Sequence, residues 1–191
     1  MIRRCIHLAL FAVLSAAPSF AAEVAPVQKA VPPQWQRCQG GAGISADDRI
    51  ASCTSVIDAA ETPNGLRADA LRARCLLLSE KDEDSAAIAD CDRAVALDPQ
   101  NRESFITRGK AYRNAKDFNR AVADFNRALA IKPDSAGVLT LRGLAYYEMG
   151  DYDRAIADYS AAIKLWPEVR LPKSLLAQAM EAKAKRDGNK K

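Results

Sequence analysis

Four cysteines, Cys38, Cys53, Cys75 and Cys91, have the most varied chemistry open to them in this 191-residue chain. A thiol can pair into a disulfide, hold a soft metal or exchange with another thiol, and spacing separates the three uses. Zinc sites bring cysteines within two to four residues of one another, often with histidine. These four lie much further apart, and the chain's one histidine is His7, near its start. The Cys-x-x-Cys spacing of thiol-exchange proteins does not occur either. An even number of cysteines in one stretch is the pattern of a disulfide framework, so the expectation is disulfides, with neither metal nor redox activity. Four cysteines allow three pairings, and spacing does not choose among them.

Other chemistry is sparse. Beyond His7 no imidazole is present to serve as general base or metal ligand. The sequence holds no Gly-x-Ser-x-Gly, phosphate-binding loop, dinucleotide fingerprint or His-Glu-x-x-His. No catalytic residue, cofactor or metal is expected, and the chain is read as a non-enzyme.

The segments that position the cysteines begin with what precedes them. Arg3 and Arg4 open a positive start, Cys5 to Ala17 is an apolar run, and Pro18 breaks it before the small-residue pattern Ser19-Phe20-Ala21. Residues 1–21 are read as a signal peptide cut after Ala21. The run falls short of the ~20 apolar residues a membrane-spanning helix needs, so no stable membrane insertion is expected once it is removed. Export to the periplasm or beyond puts the remaining cysteines where disulfides persist. Residues 22–34, with Pro26, Pro32 and Pro33, read as a linker. Apolar residues make up 49% of the sequence but aromatics only 6%, and alanine is frequent, which favours close helix packing over a sheet.

An internal repeat organises the rest. Pro99, Pro133 and Pro167 recur every 34 residues, and Cys75/Gly109/Gly143, Leu78/Tyr112/Tyr146, Ala87/Ala121/Ala155 and Cys91/Phe125/Tyr159 keep the same interval. Within each unit two apolar stretches with helical period flank a turn, for example around Gly150-Asp151, so each unit is expected to be a helical hairpin that stacks on its neighbours. The second unit reads Phe105-x2-Arg108-Gly109-x2-Tyr112, then Ala121-x3-Phe125 and Pro133; the third reads Leu139-x2-Arg142-Gly143-x2-Tyr146, then Ala155-x3-Tyr159 and Pro167. Residues 68–168 thereby resemble the tetratricopeptide repeat family.

The resemblance implies an all-α fold, an α-α superhelix of three full repeats (68–101, 102–135 and 136–169). An N-terminal segment with a half-repeat helix (35–67) precedes them. A capping helix (170–186), with Leu175, Leu176, Ala179 and Met180 inward, and a basic tail (187–191) follow. Aligning the half-repeat with the second helices makes Cys53 equivalent to Cys91, while Cys75 stands where later repeats have glycine. Of the three pairings, Cys75–Cys91 with Cys38–Cys53 is then favoured. The acidic cluster Glu80 to Asp84 falls where other repeats turn, and is read as a solvated turn. Arg74, Arg108 and Arg142 replace the family's leucine and match Asp90, Asp124 and Asp158 on the second helices, which suggests an Arg–Asp ladder.

For function, the resemblance implies a groove lined by first helices at Arg72, Leu76, Ser79, Ile106, Lys110, Arg113, Thr140, Leu144 and Tyr147. It is basic in the middle repeat and apolar in the third. Co-chaperone members clamp acidic C-terminal peptides with Lys, Arg and Asn; the matching positions here are Arg72, Leu76, Thr107, Gly137 and Leu141, of which only Arg72 fits. The repeats carry slightly more acidic than basic residues, so the net charge of +4 makes no nucleic-acid surface. The expected role is a periplasmic adaptor that binds a protein or peptide. The alternative is a passive envelope component that self-associates through its repeat ends, and the oligomeric state stays open.

Overall fold

The structure is a computed structural model that describes residues 32–189. The expected signal peptide, the linker up to residue 31 and the last two residues of the tail lie outside the described residues. Among the described residues there are helices and no strand: α1 (Pro33–Gln39), α2 (Ala46–Asp58), α3 (Asn64–Glu80), α4 (Asp84–Leu97), α5 (Arg102–Asn114), α6 (Phe118–Ile131), α7 (Ala136–Glu148), α8 (Tyr152–Leu165) and α9 (Arg170–Gly188). Pro33 and Gln34, read as linker, open α1 instead, since proline in the first turn gives up no hydrogen bond and has a helical φ already set. Helices α3–α8 form three hairpins, α2 is a lone second helix ahead of them, and α9 closes the stack.

The same turn is built three times. At the end of α3, α5 and α7 the chain passes through Asp82 (φ 60°), Lys116 (φ 60°) and Gly150 (φ 77°). The N–H of the next residue then reaches back into the last turn: Glu83 to Leu78 O (2.9 Å), Asp117 to Tyr112 O (2.8 Å) and Asp151 to Tyr146 O (2.9 Å). This capping motif leaves only three residues between the end of one helix and the start of the next. Only Gly150 adopts its φ without penalty; the other two positions cost about 1 kcal/mol each. The acidic cluster is therefore a turn, as its repeat position implied, and no group of metal-ligand side chains occurs among the described residues. The second helices α6 and α8 start on Asp117 and Asp151, whose carboxylates accept the N–H of Arg120 and Arg154 (3.1 Å each). Pro99, Pro133 and Pro167 follow the ends of α4, α6 and α8, holding the preceding residue extended.

Each hairpin closes on one contact between residues 16 apart. A Cβ built on Gly109 would lie 2.7 Å from Phe125 Cε1, and one on Gly143 2.7 Å from Tyr159 Cε1. Both rings are fully buried. In the first hairpin the same place is taken by the Cys75–Cys91 disulfide (Cα–Cα 5.7 Å), while Cys38–Cys53 (4.7 Å) ties α1 to α2.

Beside each contact runs the ladder. Arg74 binds Asp90 with two parallel N–H bonds (2.6 and 2.8 Å), Arg108 binds Asp124 (2.8 and 2.8 Å) and Arg142 binds Asp158 (2.8 and 2.7 Å). The third arm of each guanidinium crosses to the preceding second helix, reaching Thr54 Oγ1 (2.7 Å), Asp92 Oδ1 (2.8 Å) and Asn126 Oδ1 (2.6 Å). A planar guanidinium thus fixes three helices at once, which a leucine cannot do. The Thr54 bond also puts α2 in the register of a second helix.

Helix α9 takes the place of the first helix of a further repeat. Ala179 is fully buried like Ala111 and Ala145, each 34 residues before the next. Leu176 stands where the ladder would put arginine, and the ladder stops. Met180, expected inward, is 56% exposed. It occupies the position of Tyr146, which a second helix covers in the complete repeat and which no second helix covers here among the described residues. Helix α9 also runs through Asp187 and Gly188, read as tail. Lys183 pairs with Asp153, and Arg186 donates to Gly150 O (3.3 Å), so its last turns are held against α8 and its preceding turn.

Tight contact at Gly143 separates three substitutions. Alanine gains ~1 kcal/mol over glycine in a helix, but displacing the fixed Tyr159 ring costs roughly 2–3 kcal/mol. Denaturant unfolding should therefore show Gly143→Ala destabilised by about 1–2 kcal/mol. Gly137→Ala on the same helix, where nothing lies within 4 Å of the added carbon, should be neutral or stabilising. Tyr159→Phe should hold stability or raise it by about 1 kcal/mol, because the buried Tyr159 hydroxyl has no hydrogen-bond partner among the described residues.

Candidate functional site

First helices touch first helices: α3 packs on α5, α5 on α7 and α7 on α9, whereas α4, α6 and α8 make no contact with one another. A row of hairpins that meets along one edge and splays along the other curves, with its first helices on the inner face. Three cavities follow one another along that face. The first, about 440 Å³, lies between α1 and α3 and is bounded by Trp35, Arg49, Asp69, Arg72, Leu76 and Glu80 among others. The second, about 270 Å³, is bounded by Leu76, Ser79 and Glu80 of α3, Lys110, Arg113 and Asn114 of α5, and Leu141 of α7. The third, about 200 Å³, is bounded by Leu141 and Leu144 of α7 and by Trp166, Val169, Leu171 and Pro172 in and after the α8–α9 turn, with Ala136, Gly137 and Thr140 behind them. Leu76 belongs to the first and second, Leu141 to the second and third, so the three form one track.

The nine groove positions read from the repeats divide on burial. Arg72, Leu76, Lys110, Arg113 and Leu144 border the track and keep accessible surface. Ser79, Ile106 and Thr140 are buried at 5–7% exposure. Ser79 and Thr140 still border the second and third cavities with little accessible surface, whereas Ile106 borders none of the three. Ser79 accepts from Asn114 Nδ2 (3.0 Å), Thr140 donates to Ala136 O (2.7 Å), and Ile106 joins the core around Phe105 and Phe125. Tyr147 packs against Tyr152, ring centroids 5.4 Å apart, and borders none of the three cavities. In the third cavity the residues missed are Trp166, Val169, Leu171 and Pro172. The signal for them was a comparison of turns, since Lys132 and Asp98 stand where Trp166 does.

Charges along the track are mostly engaged. Arg72 pairs with Asp69, and Arg113 approaches Glu148 at 3.9 Å. Lys110 has no carboxylate partner among the described residues. The groups pushed from their usual titration lie off the track. Hydrogen bonding to Asp90, Asp124 and Asp158 holds the ladder arginines more firmly charged than usual, and burial pushes the Tyr159 phenol up. Asp117 is held below the carboxylate range first by the backbone N–H of Arg120, and Asp151 first by the Arg154 guanidinium. Among the described residues no nucleophile is paired with a base on the inner face.

A profile of the family described as tetratricopeptide repeat matches residues 109–182, from within α5 into α9. Residues 109–182 belong to the tetratricopeptide repeat family, and the described helices have that family's fold. No curated protein's sequence matches it closely enough to count as a relative. Among solved structures, the crystal structure of MamA superposes with a TM-score of 0.63 at 25% identity over 74% of this chain and 81% of that one. The first such domain of Spaghetti (RPAP3), bound to the HSP90 peptide SRMEEVD, gives 0.59 at 23% identity, covering 63% and 95%. The Sgt2 domain from Aspergillus fumigatus gives 0.58 at 22%, covering 65% and 82%. The last two likenesses are of fold. Tetratricopeptide stacks are in general non-enzymatic scaffolds for protein interaction, and no described helix of this one is long and apolar enough to cross a membrane.

The shifted aspartates set a pH dependence. Their folded pKa lies below the unfolded value of ~4, so their stabilisation is complete above about pH 5 and is lost as pH falls through the folded value. The ladder arginines, shifted up from a value already above 12, stay charged throughout. Melting followed by circular dichroism should be flat from about pH 5 to 9 and fall below about pH 4. The acid limb should shrink in Asp117→Asn with Asp151→Asn, which keeps both caps.

Proposed function

We propose that this tetratricopeptide repeat protein is a non-enzymatic adaptor, exported to the periplasm or beyond, that holds an extended segment of another protein along the inner face of α3, α5, α7 and α9. The observation that carries the reading is the unbroken track of three cavities sharing Leu76 and Leu141. Export is supported by the signal-like residues 1–21 and by two disulfides, which persist in oxidising compartments. Fold neighbours solved with HSP90 and HSP70 peptides use such a stack for peptide binding. Leu76, Thr107, Gly137 and Leu141 here supply none of the charges with which co-chaperones grip an acidic C-terminus, so the segment bound is of another kind. Self-association through the repeat ends is the second reading, favoured by the uncovered face of α9 with Met180 exposed.

Affinity capture from envelope extract separates the two. Lys110→Glu with Arg113→Glu should lose a specific partner that the wild type and Met180→Lys both retain. A catch that survives the groove charges but disappears with Met180→Lys contradicts the adaptor reading and supports association through the end helix.

A further inference from the structure

The last inter-repeat turn differs from the two before it in a way the fold does not require. Trp166, Val169 and Leu171 stand where the second hairpin has Lys132, Ser135 and Gly137, and the first has Asp98, Asn101 and Glu103. All three turns close on proline with the same extended residue before it, so polar side chains build this turn equally well. The apolar ones are also not spent on the core: Trp166 is 64% exposed and Leu171 58%. Together with Leu141, Leu144 and Pro172 they wall the third cavity, at the end of the track. Large apolar side chains left in water around a concave apolar space mark a binding site more than a packing one.

Size and charge say what fits. A dry cavity of ~150 Å³ accepts a benzene ring, so one of about 200 Å³ takes a single phenyl or branched aliphatic side chain and no more. The adjoining cavity carries Lys110, which lacks a carboxylate partner among the described residues, while Glu80 faces the same space from α3. A carboxylate is therefore favoured on the α7 side of Lys110, toward the apolar cavity. Lys110 and Leu144 occupy the same position in successive repeats. Adjacent helix axes lie about 10 Å apart, and an extended chain advances ~3.3 Å per residue. Anchor and carboxylate are then about three residues apart.

We propose that the cavity between α7 and α9 is an anchor pocket for one large aromatic or branched aliphatic side chain of the bound segment, with an Asp or Glu about three residues away held by Lys110. This rests on the groove reading above and specifies its ligand.

Selection of a random nine-residue peptide library on the disulfide-bonded protein tests it. The wild type should enrich peptides with a large apolar residue and an acidic residue about three positions apart. Lys110→Glu should replace the acidic residue by Lys or Arg. Trp166→Ala with Leu171→Ser, both at exposed positions and so expected to melt like the wild type, should lose the apolar preference and bind the wild-type peptides at least tenfold more weakly. With Trp35→Phe as background, a selected peptide should also shift Trp166 emission to the blue. Enrichment that depends on Lys110 and Arg113 but is indifferent to Trp166 and Leu171 overturns the anchor pocket and leaves the groove intact. Absence of any enrichment overturns both.

Discussion

Two helices that cross so closely that no methyl group fits between one backbone and the other helix's ring form the constraint on which the rest of the structure depends. At Gly109 against Phe125 and Gly143 against Tyr159 the rings are shut from water on every side. The first hairpin reaches the same closeness with a covalent bond between Cys75 and Cys91. With that distance fixed, the arginine one residue before each glycine, or before Cys75, lies opposite the aspartate one residue before its partner. The bidentate ladder follows from the same geometry. An ion pair taken out of water adds little net stability, since desolvation offsets much of its Coulomb energy. Its directional value is larger: three N–H arms aimed at two helices leave one angle at which a hairpin can dock on the preceding one.

The stack therefore presents its inner face ready-made. The track from Arg72 through Lys110 to Trp166 is built from side chains on helices whose mutual positions are set elsewhere, by rings, disulfides and ladder. A bound segment has little of the scaffold left to order, which is the condition for useful affinity from a narrow groove. The stack is also uneven along its length. Covalent bonds hold the N-terminal end, where repeat residues are most divergent, and the C-terminal end finishes on a helix with an uncovered face.

How much of this was legible in the sequence depends on what a period encodes. The 34-residue register carries equivalence, so the hairpins, the cysteine pairing taken over from the alignment and the matching of Arg108 to Asp124 could all be read before any coordinates. It names a face of a helix but not its distance from the next helix. Ser79, Ile106 and Thr140 were assigned to the groove on that ground and are buried: Ser79 and Thr140 still border its cavities, while Ile106 lies in the core. Met180 was placed inward by helical spacing, yet its burial needs a second helix that the described residues do not contain. Trp166 was not singled out, because its exposure beside Leu171 depends on where α9 returns. Residues 1–21, read as an export signal, lie outside the described residues.

The claim that one contact is made by two different chemistries, a glycine under a ring and a disulfide, can be tested by exchanging them. Cys75→Gly with Cys91→Phe gives the first hairpin the pair found in the second. Unfolding free energy should be measured for this variant and for the wild type, with and without reductant. A bridge closing a loop of about 15 residues contributes roughly 3 kcal/mol, so the wild type should lose about 6 kcal/mol on full reduction. The account predicts that the variant folds with wild-type helicity and loses only about half as much, from the remaining Cys38–Cys53 bond. A variant that fails to unfold cooperatively, or that loses as much as the wild type, would contradict it.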